Sequence, residues 1–210
     1  MASPVQHCNM ALSLLGSEAR VMSISPPDGG VESGHCATFY DIARTELLEP
    51  GNWAFSLARA PLAQVPNASA AWAYAYAKPS ECLRALRVVT PSVAVTVFTQ
   101  DLIEAHGDDK SSAPFTVEGA VVFTNQPDAV LLYVRDTDDT TKFPASFSSA
   151  FAHLLASYLA GPIIKSTEGT RLAGAFRKAA LEIANASATA SANASSEQDA
   201  LRPSLLSVRS

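Results

Sequence analysis

The chain has 210 residues, a net charge of −5, and 48% hydrophobic against only 17% charged residues. That length suffices for one sizeable domain, or for a domain with an appendage. The acidic balance argues against phosphate-driven nucleic-acid binding, and the low charge density leaves apolar surface for a partner to cover.

The first predicted helix opens at Ser3-Pro4-Val5-Gln6, which supplies an N-cap, a proline at the first helical position and a capping-box glutamine. Val5, Cys8, Leu12 and Leu15 recur at helical spacing, and Gly16 offers a left-handed stop. Ser17 to Gly34 reads as irregular, around the turn Pro26-Pro27-Asp28-Gly29-Gly30. A second helix is expected from Glu32 to Glu49, with Cys36, Phe39, Tyr40, Ala43 and Leu47 as its apolar stripe and Pro50-Gly51 as its end. Its other face carries Asp41, Arg44, Glu46 and Glu49, a solvated or partner-facing surface.

The middle of the chain changes period. Trp53 to Val65, Leu83 to Thr90, Val93 to Thr99, Phe115 to Thr124 and Ala129 to Arg135 favour short strands. Trp72, Tyr74 and Tyr76 stand at every second position, so in extended chain they share one side. Asn125-Gln126-Pro127-Asp128 suits a hairpin connection, and Asp101 to Ala113 reads as a long mobile loop. Helical character returns with Phe147, Phe151, Leu154, Leu155, Tyr158 and Leu159, a helix stopped by Gly161-Pro162. A fourth helix starts near Ser166 and uses Leu172, Phe176, Ala179 and Ile183. From Asn185 the chain degenerates into Ala, Ser, Asn and Thr, a tail that is disordered or an arm that orders on a partner, with Leu201, Leu205 and Leu206 as its apolar contacts.

The sum is an α+β fold: a four-helix bundle from the N- and C-terminal helices beside a small, mostly antiparallel β-sheet domain. The expected divisions are 1–52, 53–140, 141–184 and the tail 185–210.

Chemistry is sparse. There is no G-x-S-x-G elbow, P-loop, GxGxxG or HExxH. Cys8, Cys36 and Cys82 form no CxxC pair and read as buried free thiols of a reducing compartment. The acidic run Asp136-Thr137-Asp138-Asp139 lacks the glycine bend and distal glutamate of a calcium loop, so no metal and no cofactor is expected. His153 reads as a core or interface histidine, and Arg44, Arg59 and Arg84 as ion-pairing or interface arginines. Three Asn-Ala-Ser sequons, at Asn67, Asn185 and Asn193, follow from the composition. No basic leader opens the chain, and no apolar run approaches the ~20 residues of a membrane span. The expectation is a soluble protein of intracellular origin without catalytic residues.

Several motifs occur together in order. Cys8-Asn9-Met10-Ala11-Leu12-Ser13-Leu14-Leu15-Gly16 is followed by Tyr40-Asp41-Ile42-Ala43-Arg44-Thr45-Glu46-Leu47-Leu48. Trp53-Ala54-Phe55 and Arg59-Ala60-Pro61-Leu62-Ala63 come next. Tyr74-Ala75-Tyr76, Pro79 and Cys82-Leu83-Arg84 follow, then Val117-Glu118-Gly119, Thr124-Asn125, Leu132-Tyr133-Val134 and the helix Phe147 to Ala160. This series resembles the tail tubular protein A family, the head-to-tail adaptor of short-tailed bacteriophages. Lys78 and Glu81 depart from the family pattern, and the 101–113 loop and the tail after Asn185 match nothing in it.

The resemblance implies a ring of about twelve identical subunits in the virion tail. The ring would be assembled in the host cytoplasm, mounted between portal protein and tail nozzle protein, with tail fibres attaching nearby. It would continue the DNA channel without reading sequence and would touch no membrane. Asp41, Arg44 and Glu46 are the expected subunit contacts, with Trp72, Tyr74, Tyr76 and Arg84 facing a subunit or an adjoining tail protein. The alternative is a glycan-binding or wall-degrading tail component, with the aromatics stacking on sugar, but the paired sheltered carboxylates of such an enzyme are missing. A single-strand nucleic-acid binder would use the same aromatics, accompanied only by Lys78, Arg84 and Arg87.

Overall fold

The structure, a computed structural model, describes residues 2–51, 53–91 and 112–206, with side chains to Ser187. The expected strand Val93 to Thr99 and most of the expected loop Asp101 to Ala113 lie outside the described residues. The chain divides into two compact units, one built from residues 1–47 and 137–210 and the other from 48–136. Helices and antiparallel sheets segregate along the chain, and the fold is α+β.

The first unit is helical. Helix α1 (Pro4–Leu14) starts as its sequence dictates: Ser3 caps it, the Gln6 side chain closes the capping box, and Gly16 takes φ 71° just past its end. Helix α2 (Val31–Leu48) follows, then α3 (Ala145–Ile164) and α4 (Thr167–Leu206). Phe147, Phe151, Leu154, Leu155 and Leu159 of α3 are all buried, each such side chain contributing about 1.5–3 kcal/mol of transfer free energy. Helix α3 runs through Gly161-Pro162, contrary to the stop read there, and ends three residues later where Lys165 turns left-handed (φ 51°). It is thus 20 residues long and, by length and composition, apolar enough to cross a membrane, contrary to the expectation that no apolar run approaches that length. Here its apolar residues form the centre of the helical unit.

Helix α4 also overruns its expected end. It carries the Ala/Ser-rich segment in helical form to Leu206, because alanine is the strongest helix former. Its start packs tightly on α3: a Cβ at Gly169 would stand 2.8 Å from the Ala160 carbonyl oxygen.

Among the described residues, the second unit holds eight short strands in two four-stranded sheets. One sheet has the order β1 (Leu57–Pro61), β8 (Val130–Arg135), β4 (Cys82–Val89), β5 (Ser112–Ala113). The other has the order β2 (Gln64–Val65), β3 (Tyr74–Ala77), β7 (Val121–Thr124), β6 (Phe115–Glu118). All pairings are antiparallel. Two expectations change here. Phe115 to Thr124 is a hairpin rather than one strand, because Gly119 (φ 57°) turns the chain between Glu118 and Val121. Asn125 to Asp128, read as a hairpin, instead carries the chain from β7 in one sheet to β8 in the other. The expected strand Trp53 to Val65 likewise divides into a 3-10 turn (Ala54–Ser56) and two strands that serve different sheets.

The two glycines of α4 make a paired test. Gly169→Ala should cost about 1–3 kcal/mol through overpacking against the α3 backbone, despite alanine's helix propensity. Gly174→Ala, where nothing lies within 4 Å, should gain ~1 kcal/mol. Urea unfolding of both variants reads the signs, and equal shifts would refute the close α3–α4 approach.

Candidate assembly surfaces

Most residues singled out from the sequence serve the interior of their own unit. Arg44 is only 6% exposed, and its Nη1 donates to the Thr137 carbonyl at 2.9 Å. It thereby ties α2 to the segment leading into α3. Its partner Asp41 sits 3.4 Å away and is well exposed. Glu46 is also engaged within the chain, accepting from the Tyr158 hydroxyl on α3 and from the Arg177 guanidinium on α4. The Glu46 carboxylate raises the Tyr158 pKa, with burial adding to it. Of the three expected subunit contacts, Asp41 therefore keeps its carboxylate on the surface, while Arg44 ties α2 to the segment before α3 and Glu46 joins α2 to α3 and α4.

The aromatic stretch is partitioned in the same way. Tyr76 is buried and stacks beside Tyr74 with ring centroids 6.2 Å apart, both within one apolar cluster of the β-unit. The Tyr76 hydroxyl donates to the Gln126 carbonyl at 3.0 Å. Trp72 precedes β3, is half-buried, and its carbonyl accepts from Asn67 at 2.7 Å. Arg84 reaches the Pro50 carbonyl at 3.4 Å from a strand that bulges on either side of it. Glu81 accepts from the Tyr133 hydroxyl at 2.7 Å, and burial together with this carboxylate pushes the phenol up to about 12. Leu201, Leu205 and Leu206 fall in the last turns of α4.

Three features went unnoticed in the sequence. Asn9 clamps the loop after α1, its amide donating to the Val21 carbonyl at 3.0 Å and its oxygen accepting from Val21 N at 2.9 Å. Cys8 and Cys36 are buried neighbours on α1 and α2, and hydrogen bonding between the thiols, with burial, pushes Cys8 above the ordinary thiol value. His7 lies fully buried between Phe151 and Phe143, at ring distances of 5.2 and 5.9 Å. Neither of its ring nitrogens completes a hydrogen bond. Burial lowers the His7 pKa, and the Ser3 carbonyl offsets this only in part. A histidine within a helical apolar pattern gives no sequence signal that distinguishes it from an exposed one.

An open groove of about 740 Å³ lies between α1 and α3. Met10, Leu14 and Ala152 give it an apolar lining, and Arg20 and His153 contribute polar groups. His153 Nδ1 donates to the Ser149 carbonyl at 2.8 Å, which fixes the orientation of its ring. Among the described residues no group of three or more His, Cys, Asp or Glu is arranged to hold a metal. The acidic run after β8 has a local task, since Asp139 caps the 3-10 turn Thr140–Lys142.

Two measurements follow. Arg44→Ala should cost about 2–3 kcal/mol in urea unfolding, because the charged donor of a buried carbonyl is lost; an effect under ~0.5 kcal/mol would show the tie to be idle. His7 should make the helical unit acid-sensitive. Its folded pKa is depressed, so its stability is fully present above about pH 6.5 and is lost as pH falls toward the lower folded value. Calorimetry between about pH 7.5 and 5.5 should show a larger fall in Tm for the wild type than for His7→Leu. Parallel falls would mean that His7 does not titrate with unfolding.

No family model matches the chain, and comparison with curated proteins finds no match.

Proposed function

We propose that the chain is a structural subunit of a phage tail, a head-to-tail adaptor that assembles as a ring between portal and nozzle and continues the DNA channel. The observation that carries this reading is the coincidence of the ordered family-like motifs with residues that hold the fold. Asn9 of the first motif clamps the loop after α1, and Arg44 of the second ties α2 to Thr137. Tyr74 and Tyr76 of the aromatic motif pack the β-unit core, and Cys82 opens β4.

The employment of the other polar groups agrees with this reading. The carboxylates of Glu46, Glu81, Asp139 and Glu168 are engaged by Arg177 and Tyr158, Tyr133, Thr141, and Arg171 respectively. The glycan-binding alternative needs an exposed aromatic platform, and it loses Tyr76 and much of Tyr74 to the core.

Electron microscopy of the purified protein, alone and mixed with its portal protein, tests the proposal. The expected outcome is a ring with rotational symmetry, free or seated on the portal. A particle that remains monomeric in both samples, with sedimentation in agreement, would overturn it.

A further inference from the structure

Two of the three cysteines meet inside the helical unit. Cys8 of α1 and Cys36 of α2 are both 0% exposed, and both are free thiols. The neighbouring aromatic contacts explain why they come together. His7, the residue before Cys8, meets the Phe151 ring edge-on at 5.2 Å. Tyr40, one turn after Cys36 on the same face of α2, meets that ring edge-on at 5.0 Å. Helices α1 and α2 therefore converge on one side chain of α3, with the two thiols near enough to hydrogen-bond to each other. Cys82 belongs to the β-unit, and among the described residues no third ligand joins the pair to hold a metal.

Any small apolar side chain would fill these two positions, but facing thiols have a further property: they can be joined. The hydrogen bond between them also sets their roles. The Cys8 thiol donates to Cys36 and holds it below the ordinary thiol range, against burial and the Glu32 and Asp28 carboxylates. Cys8 is pushed up by the same bond and by burial. Thiolate character therefore collects on Cys36, and the thiolate is the attacking form.

We propose that Cys8 and Cys36 are an oxidisable pair that hydrogen peroxide converts to a disulfide, a covalent tie between α1 and α2. Cys36 attacks one peroxide oxygen, the O–O bond breaks, and hydroxide leaves with the Cys36 proton as water. The product is a sulfenic acid on Cys36. Cys8 Sγ then attacks Cys36 Sγ, the S–O bond breaks, and the hydroxyl leaves with the Cys8 proton as a second water. Two thiols are oxidised and one peroxide is reduced to two waters. Peroxide is little larger than water and reaches the pair through local opening of the short helix α1. The disulfide encloses residues 9–35, which restricts the unfolded chain and so stabilises the helical unit in oxidising surroundings. This tie is independent of the adaptor reading, and its test involves neither portal nor ring.

Full-length protein, reduced and then freed of reductant, is treated with increasing hydrogen peroxide. After quenching, samples are denatured, alkylated and mapped as peptides without reduction. The expected product is a single chain lighter by two hydrogen atoms, with the Cys8 and Cys36 peptides joined and Cys82 alkylated. Its Tm should rise by roughly 5–10 °C and return on addition of dithiothreitol. Cys8→Ala should leave a Cys36 sulfenic acid that dimedone captures, and Cys36→Ala should give no such adduct at Cys8. Met22, 79% exposed, is the internal measure of peroxide dose. Met22 sulfoxide in a chain whose Cys8 and Cys36 both remain alkylatable would overturn the proposal. So would a bond to Cys82 or between chains, or a joined pair whose Tm is unchanged or lower. The wild-type readouts need neither alanine variant, should one fail to fold.

Discussion

Helix α3 is the constraint on which the helical unit depends. It is apolar on nearly all sides, so no single neighbour can cover it. Covering is divided among helices distant in sequence. His7 of α1 meets Phe151 edge-on, Tyr40 of α2 meets the same ring, Phe39 stacks on Tyr158 at 5.4 Å, and α4 closes against Ala160. Because α1 and α2 precede the β-unit and α3 and α4 follow it, the helical unit completes itself only after the whole β-unit has been synthesised. The β-unit is thus an insertion that the burial requirement of one helix forces the chain to bridge.

The parts legible in the sequence were those decided by local chemistry. Ser3, Pro4 and Gln6 determine the start of α1 whatever lies elsewhere, and Gly16 and Pro50-Gly51 mark helix ends by backbone preference. The strand signal of Leu83 to Thr90 and Ala129 to Arg135 was equally legible, because Val88-Val89-Thr90 in the one and Val130 to Val134 in the other are runs of β-branched, apolar or aromatic residues. What the sequence concealed depends on partners. Whether Asn125 to Asp128 folds a hairpin or crosses between sheets is decided by which strand waits for Val130 to Arg135, and those are β1 and β4. Pro162 predicts a stop because proline removes one backbone donor. The packing of α3 on its neighbours outweighs that loss by enough to hold one more turn.

The charged residues teach the same lesson. Asp41, Arg44 and Glu46 look alike in sequence, polar positions on an amphipathic helix. Their fates differ because they lie at different angles around it. Arg44 falls where the chain re-enters at Thr137, so its guanidinium is drawn inside and its charge is compensated by a carbonyl and by Asp41. Glu46 falls where α3 and α4 converge, so one carboxylate serves both Tyr158 and Arg177. A low overall charge thus becomes lower still at the surface, since part of it joins helices within the unit.

That consumption of charge shapes how such a unit can associate. Exposed ion pairs contribute little to affinity, and this chain has withdrawn several of the groups that would form them. The exposed side chains that remain on the helical unit include Met10, Leu14, Met22, Val31, Ile42 and Leu181. An assembly built on these gains its free energy from apolar area and takes its orientation from the few charges left beside them. At the groove between α1 and α3, Arg20 is such a charge, standing beside the apolar lining of Met10 and Leu14.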